Sequence, residues 1–169
     1  MDDVVGRNAV ALTDPEATTR AQAARSLAHS QSPLHTAILP LIRAAGDRDD
    51  EVRMWAAEAL EMAGAPQASD VGSLAELLTS ETDGEIAYWA STCLGRLGPQ
   101  AAPAVDALLE TLVHSSYLPV RERAAWALAR IGPAARAAAP ALQALTDSGY
   151  PRLSRLAISA LESIRGMAA

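Results

Sequence analysis

Residues 51–64 read EVRMWAAEALEMAG and residues 85–98 read EIAYWASTCLGRLG. Superimposed, they place Trp55 on Trp89, Ala56 on Ala90, Leu60 on Leu94 and Gly64 on Gly98, each pair 34 positions apart. A register held through tryptophan, alanine, leucine and glycine marks an internal repeat, and a repeat decides the architecture before any other feature does.

Outward from these two stretches, the central leucine recurs as Leu27, Leu60, Leu94, Leu128 and Leu161, at intervals of 33, 34, 34 and 33 residues. Four residues before each stands an alanine (Ala23, Ala56, Ala90, Ala124, Ala157), and four before that Thr19, Val52, Ile86, Val120 and Leu153. Three after each leucine come Ser30, Ala63, Leu97, Ile131 and Ile164. Counted from the first of these positions, the offsets 0, +4, +8 and +11 share one stripe of an α-helix, so one buried face is used five times. A second ladder lies between: Val5, Ile38, Val71, Val105 and Ala139, followed three residues on by Asn8, Leu41, Leu74, Leu108 and Leu142, with Leu12, Leu78 and Leu112 four further.

Each unit is therefore a helix pair. The spacing predicts first helices at about 3–12, 34–45, 69–79, 101–113 and 136–146, and second helices at about 16–29, 50–63, 84–97, 118–131 and 151–165. Gly64, Gly98 and Gly132 are expected helix stops, reinforced by Pro99 and Pro133, and acids at Asp49, Asp50, Glu51, Asp83 and Glu85 suit the starts of second helices. The chain reads as one all-α domain over 1–169, a right-handed α-solenoid of five repeats at about 1–31, 32–64, 65–98, 99–132 and 133–166. Composition agrees: 38 alanines, no phenylalanine and few β-branched residues favour closely packed helices over strands.

Helix pairs of this length occur in several repeat classes. SPLHTA at 32–37 approaches the ankyrin pattern, but the equivalent stretches keep only the proline, and no tetratricopeptide aromatic ladder is present. EVRMWAAEALEMAG, PVRERAAWALARIG and TTRAQAARSLAHS resemble the second helix of HEAT repeats, with its Val-Arg, Ala and Leu positions. GPAARAAAPALQAL resembles the linker and first helix of bacterial HEAT-like repeats, the kind first named from phycobilisome lyases. The resemblance covers essentially the whole chain. It implies an α-solenoid and an Asp–Arg ladder between neighbouring repeats; Asp14, Asp47, Arg20, Arg53 and Arg121 match that ladder, Glu81 is a conservative replacement, and Ser115, Ala87 and Ser154 depart from it.

Chemistry is sparse. The His-Glu motifs of HEAT-like deoxyhypusine hydroxylase are missing, since His29, His35 and His114 have no ligand spacing. Cys93 stands where other repeats carry Ala59, Ala127 and Ala160, and reads as a small buried hydrophobe. No phosphate loop or nucleophile elbow occurs. The expectation is a non-enzyme without cofactor or metal. A net charge of −6 argues against nucleic acid, and no apolar run approaches the roughly 20 residues of a membrane span; all 14 basic residues are arginine, whose planar fork suits stacking and carboxylate recognition. The acidic start, MDDVVGRNAV, is unlike a signal peptide, and with one cysteine the expected location is cytoplasmic.

At about 100° per residue, offsets +2, +6 and +9 lie opposite the core stripe and should face a concave groove. They collect Met54, Glu58 and Glu61, then Tyr88, Thr92 and Gly95, then Glu122, Trp126 and Ala129. Gly95 and Ala129 should leave a hollow walled by Tyr88 and Trp126, with Arg96 and Arg130 at its edge. Trp55 and Trp89, at offset +3, fall on a flank as wedges against small residues of a neighbour (Ala24, Ala57, Ser91, Ala125), or else join the groove. The function this implies is a protein- or peptide-binding scaffold whose ligand is a segment with an apolar or proline anchor and mixed charge. Two alternatives stand beside it: an enzyme or accessory on the same array, bilin-lyase-like or DNA-glycosylase-like, and an architectural module. Ile158, at offset +5 of the last repeat, predicts weak homodimerisation through the C-terminal helix.

Overall fold

Asp49 and Asp83 are each extended in backbone and turn a carboxylate back onto the first amides of a helix. Asp49 Oδ1 accepts from the N–H groups of Glu51 and Val52 at 3.0 and 3.1 Å, and Asp83 Oδ1 from those of Glu85 and Ile86 at 2.8 and 3.2 Å. These bonds satisfy amides that no preceding turn can reach. Two later second helices start differently: Pro119 and Pro151 stand in their first turns, where the N–H that proline lacks would have been an orphan.

The computed structural model describes residues 3–80 and 83–166; Glu81, expected among the turn acids, lies outside them. Among the described residues all regular structure is helical. The chain divides into two compact units, Met1–Pro66 and Gln67–Ala169. The first holds α1 (Val4–Ala11), α2 (Ala17–Ala28), α3 (Ile38–Ala44) and α4 (Asp50–Met62). The second holds α5 (Val71–Ser80), α6 (Gly84–Leu97), α7 (Val105–His114), α8 (Leu118–Ile131), α9 (Ala139–Leu145) and α10 (Pro151–Ile164). These are five consecutive helix pairs, two in the first unit and three in the second.

The second helices keep the predicted bounds to within a residue or two, whereas most first helices start later than predicted. Short 3-10 turns, His35–Ala37, Ala68–Asp70, Gly98–Ala104 and Gly132–Ala138, lead into α3, α5, α7 and α9. Pro99, Pro103 and Pro133 account for two of these, because a residue without an N–H breaks the i to i−4 ladder and leaves the tighter turn in its place.

Gly98 and Gly132 stop α6 and α8 as expected. Their φ values of +59° and +74° are open only to glycine, and the prolines that follow push them out of the helical region. Gly64 does not act this way, which corrects the expectation. α4 ends on Ala63 in an extended conformation, φ −66° and ψ 137°, and the next proline comes two residues after Gly64.

Both ladders form the core. Val52, Ala56 and Leu60 on α4, Ala90 and Leu94 on α6, Ala124 and Leu128 on α8, and Leu153 and Ala157 on α10 are buried, as are Leu41, Leu74, Leu108 and Leu142 on the first helices. Full burial of one such leucine contributes about 2 kcal/mol. Within each unit the second helices pack side by side over small residues, α2 against α4 in the first and α6, α8 and α10 in series in the second, with Ala24, Ser91 and Ala125 fully buried. Asn8 and Ala139, the weakest members of the first-helix ladder, are half-buried.

Among the described residues one rung of the Asp–Arg ladder is complete. Arg20 on α2 grips Asp47 in the turn before α4 through Nε at 2.7 Å and Nη2 at 2.8 Å, while Nη1 donates to the carbonyls of Asp14 and Pro15. Arg20 is buried, and its bidentate bond holds the Asp47 carboxyl below its ordinary pKa. Arg53 repeats the local half of the pattern, donating to the Asp47 carbonyl at 2.8 Å and pairing with Asp50. Arg121 donates to the Leu112 carbonyl at 2.9 Å.

Candidate protein-binding surface on α6 and α8

The groove stripe predicts that Tyr88 of α6 and Trp126 of α8 face one another, and the helices do bring them onto one surface. Both are half-buried. The link between them is a residue the stripe does not contain. The Arg123 guanidinium lies 4.8 Å from the centre of the Tyr88 ring and 5.4 Å from that of Trp126, and its Nη2 donates to the Tyr88 hydroxyl at 2.5 Å. Two ring faces and one hydrogen bond fix a side chain that would otherwise sample many rotamers. Arg123 Nε is buried without a hydrogen-bond partner. On its other side Tyr88 meets Trp89 edge-on, with ring centres 5.4 Å apart.

Gly95 makes room for Trp126 rather than leaving an open hollow. A Cβ at Gly95 would come within 3.0 Å of three carbons of the Trp126 ring, so the six-membered ring fills the space the missing side chain leaves. Thr92 and Glu122 also differ from expectation, since both are buried and neither lines an open groove. Thr92 Oγ1 donates to the Tyr88 carbonyl at 2.8 Å within its own helix. Glu122 Oε2 turns to Arg152 Nε of α10 at 3.2 Å, which makes it an inter-helix tie. Ala129 and Arg96 are half-buried and Arg130 is exposed.

In the first unit Met54, Glu58 and Glu61 are exposed, as the stripe predicts for them. Trp55 is half-buried against α2. Its ring lies 5.4 Å from the His29 ring and 5.3 Å from the Arg25 guanidinium, and its Nε1 donates to Glu51 at 3.4 Å. The offset +3 column thus points to the preceding second helix, through Trp55 in the first unit and Arg123 in the second. Trp89, in the same column, is buried, and its Nε1 has no partner.

Tyr117, which sequence reasoning passed over, stands at the start of α8 with 51% of its surface exposed. Its ring lies flat against the backbone of Gly84, where a Cβ would meet three ring carbons at 3.1 to 3.2 Å. A side chain at position 84 would press on the ring, which would have to give by a few tenths of an ångström. Open hollows flank it. One, of about 280 Å³, is lined by Asp83, Glu110, Thr111 and His114 among others; the second, of about 240 Å³, by Asp83, Glu85, Tyr88 and Pro119.

Cys93 is buried, and burial pushes its thiol up to about 11, the opposite of what a nucleophile needs. Among the described residues no three His, Cys, Asp or Glu side chains converge as metal ligands, and no helix is long and apolar enough to cross a membrane.

A family model for HEAT repeats matches residues 8–71 and 71–162. The chain belongs to the HEAT-repeat family. Among solved structures this HEAT chain is similar to two engineered proteins. The first is 26% identical with a TM-score of 0.67, over 97% of this chain and 80% of that one; the second is 28% identical with a TM-score of 0.63, over 95% and 47%. A designed armadillo repeat protein in complex with the peptide (KR)4 has a TM-score of 0.65 at 18% identity, over 95% of this chain and 81% of that one, a likeness of fold alone. A comparison with curated proteins gives no match. The helical repeat fold is thus that of the HEAT and armadillo class, and fold by itself assigns no activity.

Proposed function

We propose that this HEAT-repeat chain is a non-catalytic scaffold that binds a segment of a partner protein on the α6–α8 face. The observation that carries the reading is the Tyr88–Arg123–Trp126 cluster, two half-buried aromatic rings with a guanidinium fixed between them. Side chains of these types dominate binding energy at interfaces, and a rigid cluster loses little entropy when a ligand docks. The designed armadillo protein of similar fold is held in complex with a peptide, which agrees in kind. Panning a random peptide library on the intact chain tests this: enriched peptides should bind the native protein and lose affinity for a Tyr88→Ala, Trp126→Ala double variant. Failure to enrich any peptide, or equal binding to the variant, overturns it.

Self-association is a second reading, carried by Ile158. The equivalent positions Ala24, Ser91 and Ala125 are fully buried and Ala57 is half-buried, whereas Ile158 on α10 is 45% exposed. A shared apolar face there predicts a weak dimer, seen as a concentration-dependent sedimentation coefficient that Ile158→Glu abolishes.

A further inference from the structure

The two hollows beside Tyr117 share a chemistry. Asp83 borders both, Glu110 borders one and Glu85 the other, and neither is lined by Lys or Arg. One oxygen of Asp83 is committed to capping α6. Glu85 and Glu110 are exposed, and among the described residues no side-chain bond ties up either carboxylate. The partial positive charge at the start of α6 is outweighed by Asp83 and Glu85 together. Between the hollows the Tyr117 ring rests with one face on Gly84, while half of its surface is open to a ligand.

From this geometry we propose that the hollows receive two basic side chains of a partner segment that straddles Tyr117, one entering beside Glu85 and the other beside Glu110. Residues i and i+2 of an extended chain point the same way about 7 Å apart, so two such side chains can bracket a single aromatic ring. A guanidinium suits each hollow because it can bond a carboxylate and lie against a tyrosine ring at once. The chain's net charge of −6 favours the encounter, and Tyr88, which borders the Glu85 hollow, joins this edge to the Arg123 cluster. The assignment rests on the α6–α8 face being the binding surface and adds the chemistry of its ligand.

The test is an NMR titration of the full chain with a capped peptide carrying two arginines separated by one glycine, beside the same peptide with glutamates in their place. The arginine peptide should shift the amides of Gly84, Glu85, Tyr117 and Val120 in a saturable way, and the glutamate peptide should not. Tyr117→Ala, and separately the pair Glu85→Gln with Glu110→Gln, should each weaken binding at least tenfold. A charge-matched control, Glu16→Gln with Glu162→Gln, should leave it unchanged. Equal weakening in the control would reveal diffuse attraction and overturn the proposal. So would shifts confined to other residues, or none. Library peptides that still need Tyr88 and Trp126 would then leave the scaffold reading standing, so the two failures are distinguishable.

Discussion

The ring of Trp126 occupies the volume that a side chain at position 95 would need, so α6 and α8 meet through a glycine and an indole rather than through two interlocking aliphatic residues. Adding one methyl group there is informative. Gly95→Ala gains up to about 1 kcal/mol of helix propensity but forces the indole outward, and overpacking of this kind costs about 1–3 kcal/mol. The net outcome expected is a lower melting temperature with red-shifted tryptophan emission, read by thermal denaturation followed by fluorescence.

Arg123 should behave as a positioning residue between the two rings. Arg123→Lys keeps the charge but loses the planar stacking, so a peptide selected on the wild type should bind it several-fold more weakly, with the melting temperature little changed. Calorimetric titration of both proteins checks this.

The Arg20–Asp47 rung makes a pH prediction. The folded-state pKa of Asp47 lies below its unfolded value, so its contribution is present above the ordinary carboxylate pKa and disappears as pH falls through the lowered folded-state value. Asp47→Asn should reduce the urea midpoint at pH 7, and the gap between variant and wild type should close in strong acid. A gap that persists unchanged at pH 2 would contradict the assignment.

Cys93 should be inert in the folded chain. With its thiol buried and pushed up to about 11, a disulfide reagent at pH 8 should label it only after denaturation, and a rapid native-state reaction would show the repeat packing around α6 to be wrong.

Much of this architecture could be read from the sequence because the second helices announce themselves several times over: a capping acid or early proline in α4, α6, α8 and α10, an Ala–Leu stripe at helical spacing in all five, and in two cases a Gly-Pro stop. Where only one signal was present the reading failed. Gly64 has the spacing of Gly98 and Gly132 but no proline directly after it, and the chain leaves α4 without a left-handed turn. The 3-10 turns were illegible because their few residues have no periodicity of their own. At the candidate surface, angular bookkeeping found Tyr88 and Trp126 but placed Thr92 and Glu122 in the open, since a helix leaning on its neighbour buries more than half its circumference. Arg123 was missed because it shares the offset of Trp55 and Trp89, although its place three residues before Trp126 puts it on the same helical face. Tyr117 carried a signal that went unused, an aromatic residue one helix start downstream of a glycine at the equivalent turn.

The binding account turns on the contrast between two tryptophans one repeat apart on adjoining helices, Trp89 buried and Trp126 half-buried. The direct test is to measure both melting temperature and affinity for a library-selected peptide in Trp89→Ala and Trp126→Ala. Trp89→Ala should lose the larger share of stability, by about 3–5 kcal/mol, and Trp126→Ala should lose more than about 1 kcal/mol of binding with the smaller thermal shift. A Trp126→Ala protein that melts as low as Trp89→Ala while binding the peptide with undiminished affinity would contradict the assignment of the α6–α8 face.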